Sequence, residues 1–240
     1  MSDKIQNLPL HIAIIPDGNR RWAKKKGLNS WLGHLWGVKA LEKILMTVLD
    51  SDIKFFTFWG GSFDNLTKRT KKEVDFLFYL YVKHFTRLAK KKEIKENEMK
   101  ISVLGRWKEI SPPKTIEAIN NIEKMTAQNG KKFLNFLIAY NGTDEMINAV
   151  RKIAASPEIK PAEINEETIK QNLWTKDLPP VDLVIRTGVE NDPHNSTGFM
   201  MWDTVYSHYY FTKTLWPDFK PEEFKKAISD YLKTEKRMGE

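Results

Sequence analysis

The sequence predicts an α/β protein, a single domain with a mostly parallel six-stranded sheet flanked by helices. Short runs rich in β-branched and aromatic residues alternate with longer segments whose apolar residues recur every three or four positions. Strands that alternate with helices in this way are typical of parallel sheets covered on both faces. A length of 240 residues suits one such domain, and no repeat or low-complexity linker divides it. We therefore expect residues 1–240 to form one domain.

Individual elements follow from these patterns. The strands are expected at residues 11–15, 53–59, 99–104, 133–140, 181–185 and 208–211. The helices are expected at residues 35–49, 74–88, from 112 onward, around 146–150, at 166–173 and at 224–232. The helix at 74–88 carries so many aromatic residues that we expect it to have a second apolar surface besides its core-facing stripe.

Composition limits the possible functions. The hydrophobic fraction of 41% is ordinary for a soluble globular protein. No apolar run approaches the roughly 18 residues that a transmembrane helix needs. The segment Met1–Pro9 has no apolar core of signal-peptide length, and the absence of cysteine excludes disulfides and thiolate metal sites. These features together predict a cytoplasmic protein.

The formal net charge of +8 predicts an acidic partner, which could be nucleic acid, an anionic membrane or a substrate that carries phosphates. Much of the excess lies in three lysine-rich runs at 24–26, 68–72 and 90–92. Such runs at helix ends are usually solvated or face the negative end of the helix dipole. No motif has the spacing of base-reading residues, so we do not expect nucleic-acid binding.

The stretch from His11 to Trp22 organises the chain. It begins as a buried strand, and Pro16 and Gly18 should end that strand. Asp17 and the basic residues that follow are then expected in the turn before the next helix, where open α/β sheets bind their ligands. An aspartate beside two arginines can hold a divalent metal and an anion together. The same residues also fit an aspartate N-cap followed by solvated arginines.

This stretch resembles the signature of the cis-prenyltransferases, the undecaprenyl diphosphate synthase family. The segments 59–74 and 181–219 resemble the family's other two motif blocks in the right order, so the resemblance covers nearly the whole chain. It implies a single-domain sheet with an apolar tunnel or cleft, Mg²⁺ as cofactor, and a homodimer. The implied reaction is prenyl transfer from an allylic diphosphate to isopentenyl diphosphate, giving a cis-polyprenyl diphosphate of unknown length. Membrane contact is then expected only as peripheral contact through the lipid product.

The first block implies the site of the allylic diphosphate. The resemblance implies that Asp17 is the catalytic carboxylate, which engages the metal and the diphosphate. The turn that wraps the diphosphate is formed by Gly18, Asn19, Arg20 and Arg21. The family also places a histidine against this group, here His34, although a capping or packing histidine fits the sequence as well. Trp22 is expected as a wall of the site.

The second block, at residues 59–70, resembles a family loop that orders over the substrates and helps to remove a proton from the condensing unit. Ser62 and Asn65 match catalytic positions of that loop, and Arg69 matches a substrate-binding arginine if one residue is inserted. Two preceding glycines favour a mobile lid. A glycine-rich turn with an Asx-turn at Asn65 is the structural alternative.

The third block departs from the family pattern. Arg186 matches an arginine that binds the diphosphate of isopentenyl diphosphate, but the segment that follows is longer and lacks the second arginine of the family. Ser196 is expected to replace the family's serine. His208 stands where the family has a metal-binding glutamate, so it is expected to bind the metal together with Asp17. These changes leave three readings open: regular chain elongation, irregular condensation or transfer to another acceptor, and a non-catalytic partner subunit.

Overall fold

The computed structural model describes residues 8–234 and shows one six-stranded sheet with helices on both faces. Residues 1–7 and 235–240 lie outside the described part. Most of Met1–Pro9, where we expect no signal peptide, therefore falls outside it as well. Every strand pairing is parallel, in the order β3-β4-β2-β1-β5-β6. The predicted fold class is therefore confirmed. The strands are β1 His11–Ile15, β2 Phe55–Gly61, β3 Met99–Leu104, β4 Lys132–Ile138, β5 Leu183–Arg186 and β6 His208–Phe211.

The helices connect these strands and cover both faces. They are α1 Asn19–Lys25, α2 Gly33–Leu49, α3 Phe63–Lys68, α4 Lys71–Ala89, α5 Lys92–Glu96, α6 Trp107–Ile110, α7 Pro113–Thr126, α8 Gly142–Ala155, α9 Glu166–Asn172 and α10 Pro221–Lys233. Short 3₁₀ helices occur at Ser30–Leu32, Pro161–Glu163 and Trp216–Asp218. Within residues 8–234, no helix is long and apolar enough to cross a membrane.

The central strand β1 is buried along its whole length, which explains why its sequence is a continuous apolar run rather than an alternating one. It pairs with β2 on one side and with β5 on the other. The carboxyl ends of these three neighbouring strands therefore lie side by side, and the chain leaves them at Pro16, Ser62 and Thr187. This edge of the sheet is where we expected a ligand site.

Two predicted boundaries needed correction near this edge. Asn19, Arg20 and Arg21 lie in the first turn of α1, not in a turn that precedes a helix, because Gly18 adopts a left-handed conformation and the helix begins directly after it. Strand β2 starts two residues later than predicted and continues through Gly60 and Gly61, where its pairing with β4 shifts register. The strand thus carries the second motif block directly to the sheet edge.

Candidate active site

A cavity of about 550 Å³ opens at the carboxyl ends of β1, β2 and β5. Its outer part is lined by charged and polar residues, most of them from the three motif blocks, and its inner part mainly by apolar side chains from α2, α4 and the sheet, together with His84. The polar residues are Asp17, Asn19, Arg20, Arg21, His34, Ser62, Asp64, Asn65, Arg69, Arg186, Ser196 and Thr197. A cavity with a charged mouth and an apolar interior suits a ligand that has an anionic head and a hydrocarbon tail.

The carboxylate of Asp17 lies between two arginines. Its Oδ1 is 3.3 Å from Arg21 Nη2, and its Oδ2 is 3.6 Å from Arg186 Nη2. Its backbone carbonyl accepts hydrogen bonds from Thr187 Oγ1 at 2.8 Å and from the backbone N–H of Trp216 at 3.0 Å. The main chain is thus fixed, whereas the carboxylate remains 44% exposed to the cavity mouth. No side chain caps α1, so the alternative of Asp17 as an N-cap is wrong.

Glycine is required directly after Asp17. Gly18 has a φ of 108°, and a Cβ at this position would lie 2.7 Å from Leu215 Cδ2. The next residue, Asn19, donates from Nδ2 to the Pro16 carbonyl at 3.3 Å. Its Oδ1 is buried and has no hydrogen-bond partner within residues 8–234. This oxygen is packed against Gly37, where an added Cβ would lie 2.3 Å from it.

Three basic side chains converge on the buried carboxylate of Glu73, in the first turn of α4. Its Oε1 lies 3.0 Å from Arg69 Nη1, 3.2 Å from His34 Nε2 and 3.6 Å from Arg20 Nε. The hydrogen bond to His34 is the main cause that lowers the pKa of Glu73, while burial lowers the pKa of His34. Glu73 thus stays ionised and holds His34 and the two arginines at one side of the mouth.

The second motif block forms a short helix instead of a glycine-rich turn. Ser62 caps α3, because its Oγ accepts a hydrogen bond from the backbone N–H of Asn65 at 3.0 Å. The alternative of an Asx-turn at Asn65 is therefore wrong, and the Asn65 side chain lines the cavity. The geometry brings Ser62, Asn65 and Arg69 to the same mouth as Asp17.

Arg186, the last residue of β5, is engaged by its own chain. Its side chain is 9% exposed, and Nη1 donates to the carbonyl of His194 in the longer segment that follows the third motif block. Its Nε is buried without a hydrogen-bond partner within residues 8–234. Ser196 and Thr197 of the same segment line the cavity. The longer segment thus lies against Arg186, the arginine that the resemblance implies for binding isopentenyl diphosphate.

Comparison with known proteins decides the family. The sequence profile described as putative undecaprenyl diphosphate synthase matches residues 15–239. This chain belongs to the undecaprenyl diphosphate synthase family. The predicted cis-prenyltransferase resemblance is confirmed, and the chain is an enzyme of that family.

Curated relatives support this family over nearly the whole chain. A protein of Pyrococcus horikoshii named tritrans,polycis-undecaprenyl-diphosphate synthase (geranylgeranyl-diphosphate specific) is 37% identical over 235 residues, covering 97% of this chain and 87% of the relative. An isoprenyl transferase of Thermus thermophilus is 34% identical over 239 residues, covering 97% and 89%. The crystal structure of lavandulyl diphosphate synthase from Lavandula x intermedia in complex with dimethylallyl diphosphate has a TM-score of 0.88 and 30% identity, covering 97% and 99%.

Two predicted site residues of this cis-prenyltransferase lie elsewhere. His208 begins β6 and pairs with Leu183, which in turn pairs with Ile12, so it lies near the amino end of the sheet, away from Asp17. Its ring packs against Tyr231 at 5.3 Å, and it does not line the cavity. Trp22 does not line the cavity either, because its side chain packs beside Ala23 and Leu215.

Sequence reasoning missed Glu73 as a member of the site. The available signal was Thr70 three positions before it, a pattern that indicates only the start of a helix. The structure shows that cap, with Thr70 Oγ1 accepting from the Glu73 backbone N–H at 3.4 Å. The side chain has a further role that the sequence does not reveal, since its three basic partners come from different parts of the chain.

Proposed function

We propose that this enzyme transfers a prenyl group from an allylic diphosphate to isopentenyl diphosphate and so elongates a cis-polyprenyl diphosphate. The observation that carries the proposal is the two-part cavity, with a charged mouth and an apolar interior. Four arginines at 20, 21, 69 and 186 line it, against two half-exposed carboxylates, Asp17 and Asp64. Guanidinium groups bind diphosphate oxygens in a bidentate manner, and an apolar wall suits an isoprenoid tail.

The allylic diphosphate is assigned to the first motif block. Arg20 and Arg21 bind its oxygens together with the backbone around Gly18 and Asn19, and His34 completes the mouth. When the allylic carbon–oxygen bond breaks, negative charge develops on the departing diphosphate. Guanidinium groups that already face this position stabilise that charge without having to reorganise.

Mg²⁺ is implied by the family, and the donor set present here suits it. Within residues 8–234, no three His, Cys, Asp or Glu side chains converge to form an all-protein metal site. Mg²⁺ is commonly held by one or two carboxylates together with phosphate oxygens of the substrate. Asp17 would therefore hold the ion jointly with the diphosphate, and the ion would neutralise leaving-group charge. His208 has no part in this assignment.

The condensing substrate is assigned to the second and third motif blocks. Arg186 and Arg69 bind the diphosphate of isopentenyl diphosphate, and Ser196 adds a hydroxyl. Ser62 and Asn65 orient the five-carbon unit so that its double bond attacks the allylic carbon. The adjacent carbon then passes a proton to an oxygen of the released diphosphate. Arg186 binds with the N–H groups that remain, because Nη1 already donates one hydrogen bond to the His194 carbonyl.

This contact favours one second candidate, an irregular condensation in which the acceptor is another allylic diphosphate. The arginine of the acceptor site is already engaged by the chain, and the family's second arginine is absent from this segment. The solved relative named lavandulyl diphosphate synthase has dimethylallyl diphosphate bound. An acceptor site formed by the longer segment that contains His194 would suit an allylic substrate.

One assay separates these possibilities. The purified protein is incubated with Mg²⁺, labelled isopentenyl diphosphate and, in separate reactions, dimethylallyl, geranyl, farnesyl or geranylgeranyl diphosphate. A ladder of products spaced by five carbons supports elongation. Product from a further reaction that contains labelled dimethylallyl diphosphate and no isopentenyl diphosphate supports irregular condensation, and no product in any reaction would contradict both. Light scattering of the same sample tests the homodimer that we include in the proposal.

A further inference from the structure

Four residues outside the cavity form a closed ring of contacts around the start of α3. The guanidinium carbon of Arg106 lies 3.8 Å from the ring centroid of Phe63, the first residue of α3. Arg106 Nη1 donates to Asp144 Oδ2 at 3.3 Å, and Asn141 Nδ2 donates to the same oxygen at 3.4 Å. Asn141 Oδ1 accepts from the backbone N–H of Phe63 at 3.3 Å, which closes the ring. We call these four residues the α3 clamp.

The guanidinium of Arg106 is fixed over the Phe63 ring. Its Nε donates to both carboxylate oxygens of Glu109, at 3.1 and 3.0 Å, and its Nη2 donates to one of them at 2.8 Å. Together with Asp144, these bonds hold the planar group from two sides, which a lysine could not reproduce. The Arg106 side chain is 32% exposed, so water only partly screens its contact with the ring. Such a cation–π contact favours the held position by about three- to tenfold.

The α3 clamp sets the position of the polar residues that α3 presents to the cavity. Ser62 directly precedes Phe63, and Asn65 follows two positions later; both line the cavity, whereas the four clamp residues do not. The helix has only six residues, and its few internal hydrogen bonds cannot fix where it lies. The clamp holds its first residue by both the ring and the backbone N–H, so Ser62 and Asn65 are placed with it.

The same stretch of chain contacts the third motif block. Gly142, which follows Asn141, donates its backbone N–H to the Thr197 carbonyl at 3.0 Å. Thr197 and its neighbour Ser196 line the cavity. The stretch 141–142 therefore joins the two segments that we assign to isopentenyl diphosphate.

We propose that Arg106 is a positioning residue for the condensing substrate, which acts through the α3 clamp by holding Ser62 and Asn65 where they orient isopentenyl diphosphate. This inference rests on the proposed function. Without the guanidinium, the first turn of α3 samples more positions, and the condensing substrate spends less time in the geometry that reacts. The allylic site belongs to the first motif block, so its affinity does not depend on Arg106.

Arg106→Met tests this role through a difference between the two substrates. We expect kcat/KM for isopentenyl diphosphate to fall about three- to tenfold, the size of one such contact. The dissociation constant of dimethylallyl S-thiolo diphosphate, in which a sulfur link blocks ionisation, should stay unchanged in calorimetry. Amide hydrogen exchange followed by mass spectrometry should become faster in the peptide that covers residues 62–69 and stay unchanged in α1.

Lys108→Met is the matched control. Lys108 belongs to the same short helix α6, and its Nζ also lies over an aromatic ring, 5.2 Å from the centroid of Trp107, but that ring is outside the motif blocks. This variant should change neither kcat/KM nor the exchange of α3. Thermal melts verify folding, and Arg106→Gln replaces Arg106→Met if the methionine variant does not fold.

Phe63→Leu breaks the same contact from the ring side and keeps an apolar residue. Its loss of kcat/KM should resemble that of Arg106→Met, and the double variant should lose little more than either single variant, because both remove one contact. Losses that multiply in the double variant would show that Arg106 does not act through Phe63 and would overturn the proposal.

The outcomes distinguish the two levels. If the unmodified enzyme forms no product from isopentenyl diphosphate with any allylic diphosphate, the proposed function fails and the role of Arg106 fails with it. If the unmodified enzyme elongates but Arg106→Met keeps its kcat/KM, or weakens the thiolo diphosphate by the same factor, the positioning role is wrong while the proposed function stands.

Discussion

At the scale of single residues, we expect the side chain of Asp17 to matter for turnover and very little for stability. Its carboxylate is half-exposed and its two ion pairs are longer than hydrogen bonds, so we expect it to contribute less than about 1 kcal/mol to stability. Asp17→Ala should lower turnover by at least about a hundredfold, since it removes the group assigned to the metal and the leaving diphosphate. Steady-state kinetics and a thermal melt of the same sample test both statements.

Asp75→Ala is the matched control for this substitution. Asp75 is also an exposed aspartate with a basic partner, Lys71 at 2.6 Å, but it lies outside the cavity. Its replacement should leave turnover unchanged. A melt lowered strongly by Asp17→Ala, with turnover lost only in proportion to unfolding, would mean that Asp17 is a structural residue.

His11 makes stability depend on pH. It is fully buried at the start of β1, with its ring nitrogens 2.9 Å from the Pro179 carbonyl and 2.8 Å from Thr57 Oγ1. Burial lowers its pKa to about 4. The unfolded chain takes up a proton below about pH 6.5 and the folded chain only near pH 4. Stability is therefore complete above pH 6.5 and is lost as the pH falls toward 4.

Urea melts between pH 7.5 and 4 test this expectation. The lowered pKa corresponds to up to about 3 kcal/mol across that window, as an order of magnitude. His11→Gln should have a flatter dependence on pH, whereas His194→Gln, at a half-exposed histidine, should behave like the unmodified chain. Equal pH dependence of the His11 variant and the unmodified chain would contradict the assignment.

At the scale of elements, a buried ion pair fixes α9 to the segment that leads into β6. Lys170 contacts Asp203 Oδ1, and their side chains are 16% and 2% exposed. Burial raises the pKa of Asp203, although Lys170 opposes this. Lys170→Met leaves a buried carboxylate unpaired and should cost about 3–5 kcal/mol. The loss should be larger at pH 8 than at pH 5, because protonation removes the uncompensated charge.

Two further variants complete the measurement by denaturant unfolding. Lys160→Met removes an exposed partner of Glu163 and should have little effect. Adding Asp203→Asn to Lys170→Met should recover part of the lost stability. An unfolding midpoint that Lys170→Met leaves unchanged would show that the pair is not required to hold this segment.

The strands and the long helices could be predicted from sequence, whereas most of the short helices could not. Strands β1, β3 and β6 have the predicted bounds, and α2 and α4 differ only by a few residues at their ends. Four helices of four to seven residues, α1, α3, α5 and α6, were missed. A helix of less than two turns shows too little periodicity to be recognised. The start of α3 is set by its cap, Ser62, which could be recognised only by knowing that β2 ends at Gly61.

At the scale of the whole molecule, motif blocks predicted which residues meet at the cavity. Asp17, Arg69 and Arg186 come together because parallel strands place their carboxyl ends at one edge. Register could not be predicted, and it places His208 near the opposite edge. Nor could the sequence show that Glu73 gathers His34 and two arginines, since such a contact depends on helix packing across the mouth.

Ligand binding should stabilise the whole sheet, because three separate chain segments contribute to one mouth. A dimethylallyl thiolo diphosphate with Mg²⁺, at about a hundred times its dissociation constant, should add about 2.7 kcal/mol to the free energy of unfolding. For a chain of this size we expect a rise in melting temperature of roughly 5–10 °C. Differential scanning calorimetry measures it.

The same measurement on Arg186→Met tests which substrate that arginine serves. The shift with the allylic probe should persist, because Arg186 is assigned to the second substrate. An absent shift in the unmodified enzyme would contradict the assigned mouth. A shift lost in the variant would place Arg186 on the allylic side instead.

The central strand has a consequence for how the protein is made. β1 emerges first from the ribosome, but its neighbour β5 and the backbone N–H of Trp216, which holds the Asp17 carbonyl, are translated in the last quarter of the chain. A nascent polypeptide therefore carries the first motif block long before it can form the crevice around it. Premature termination before β5 would leave a fragment with the motif and without a competent pocket.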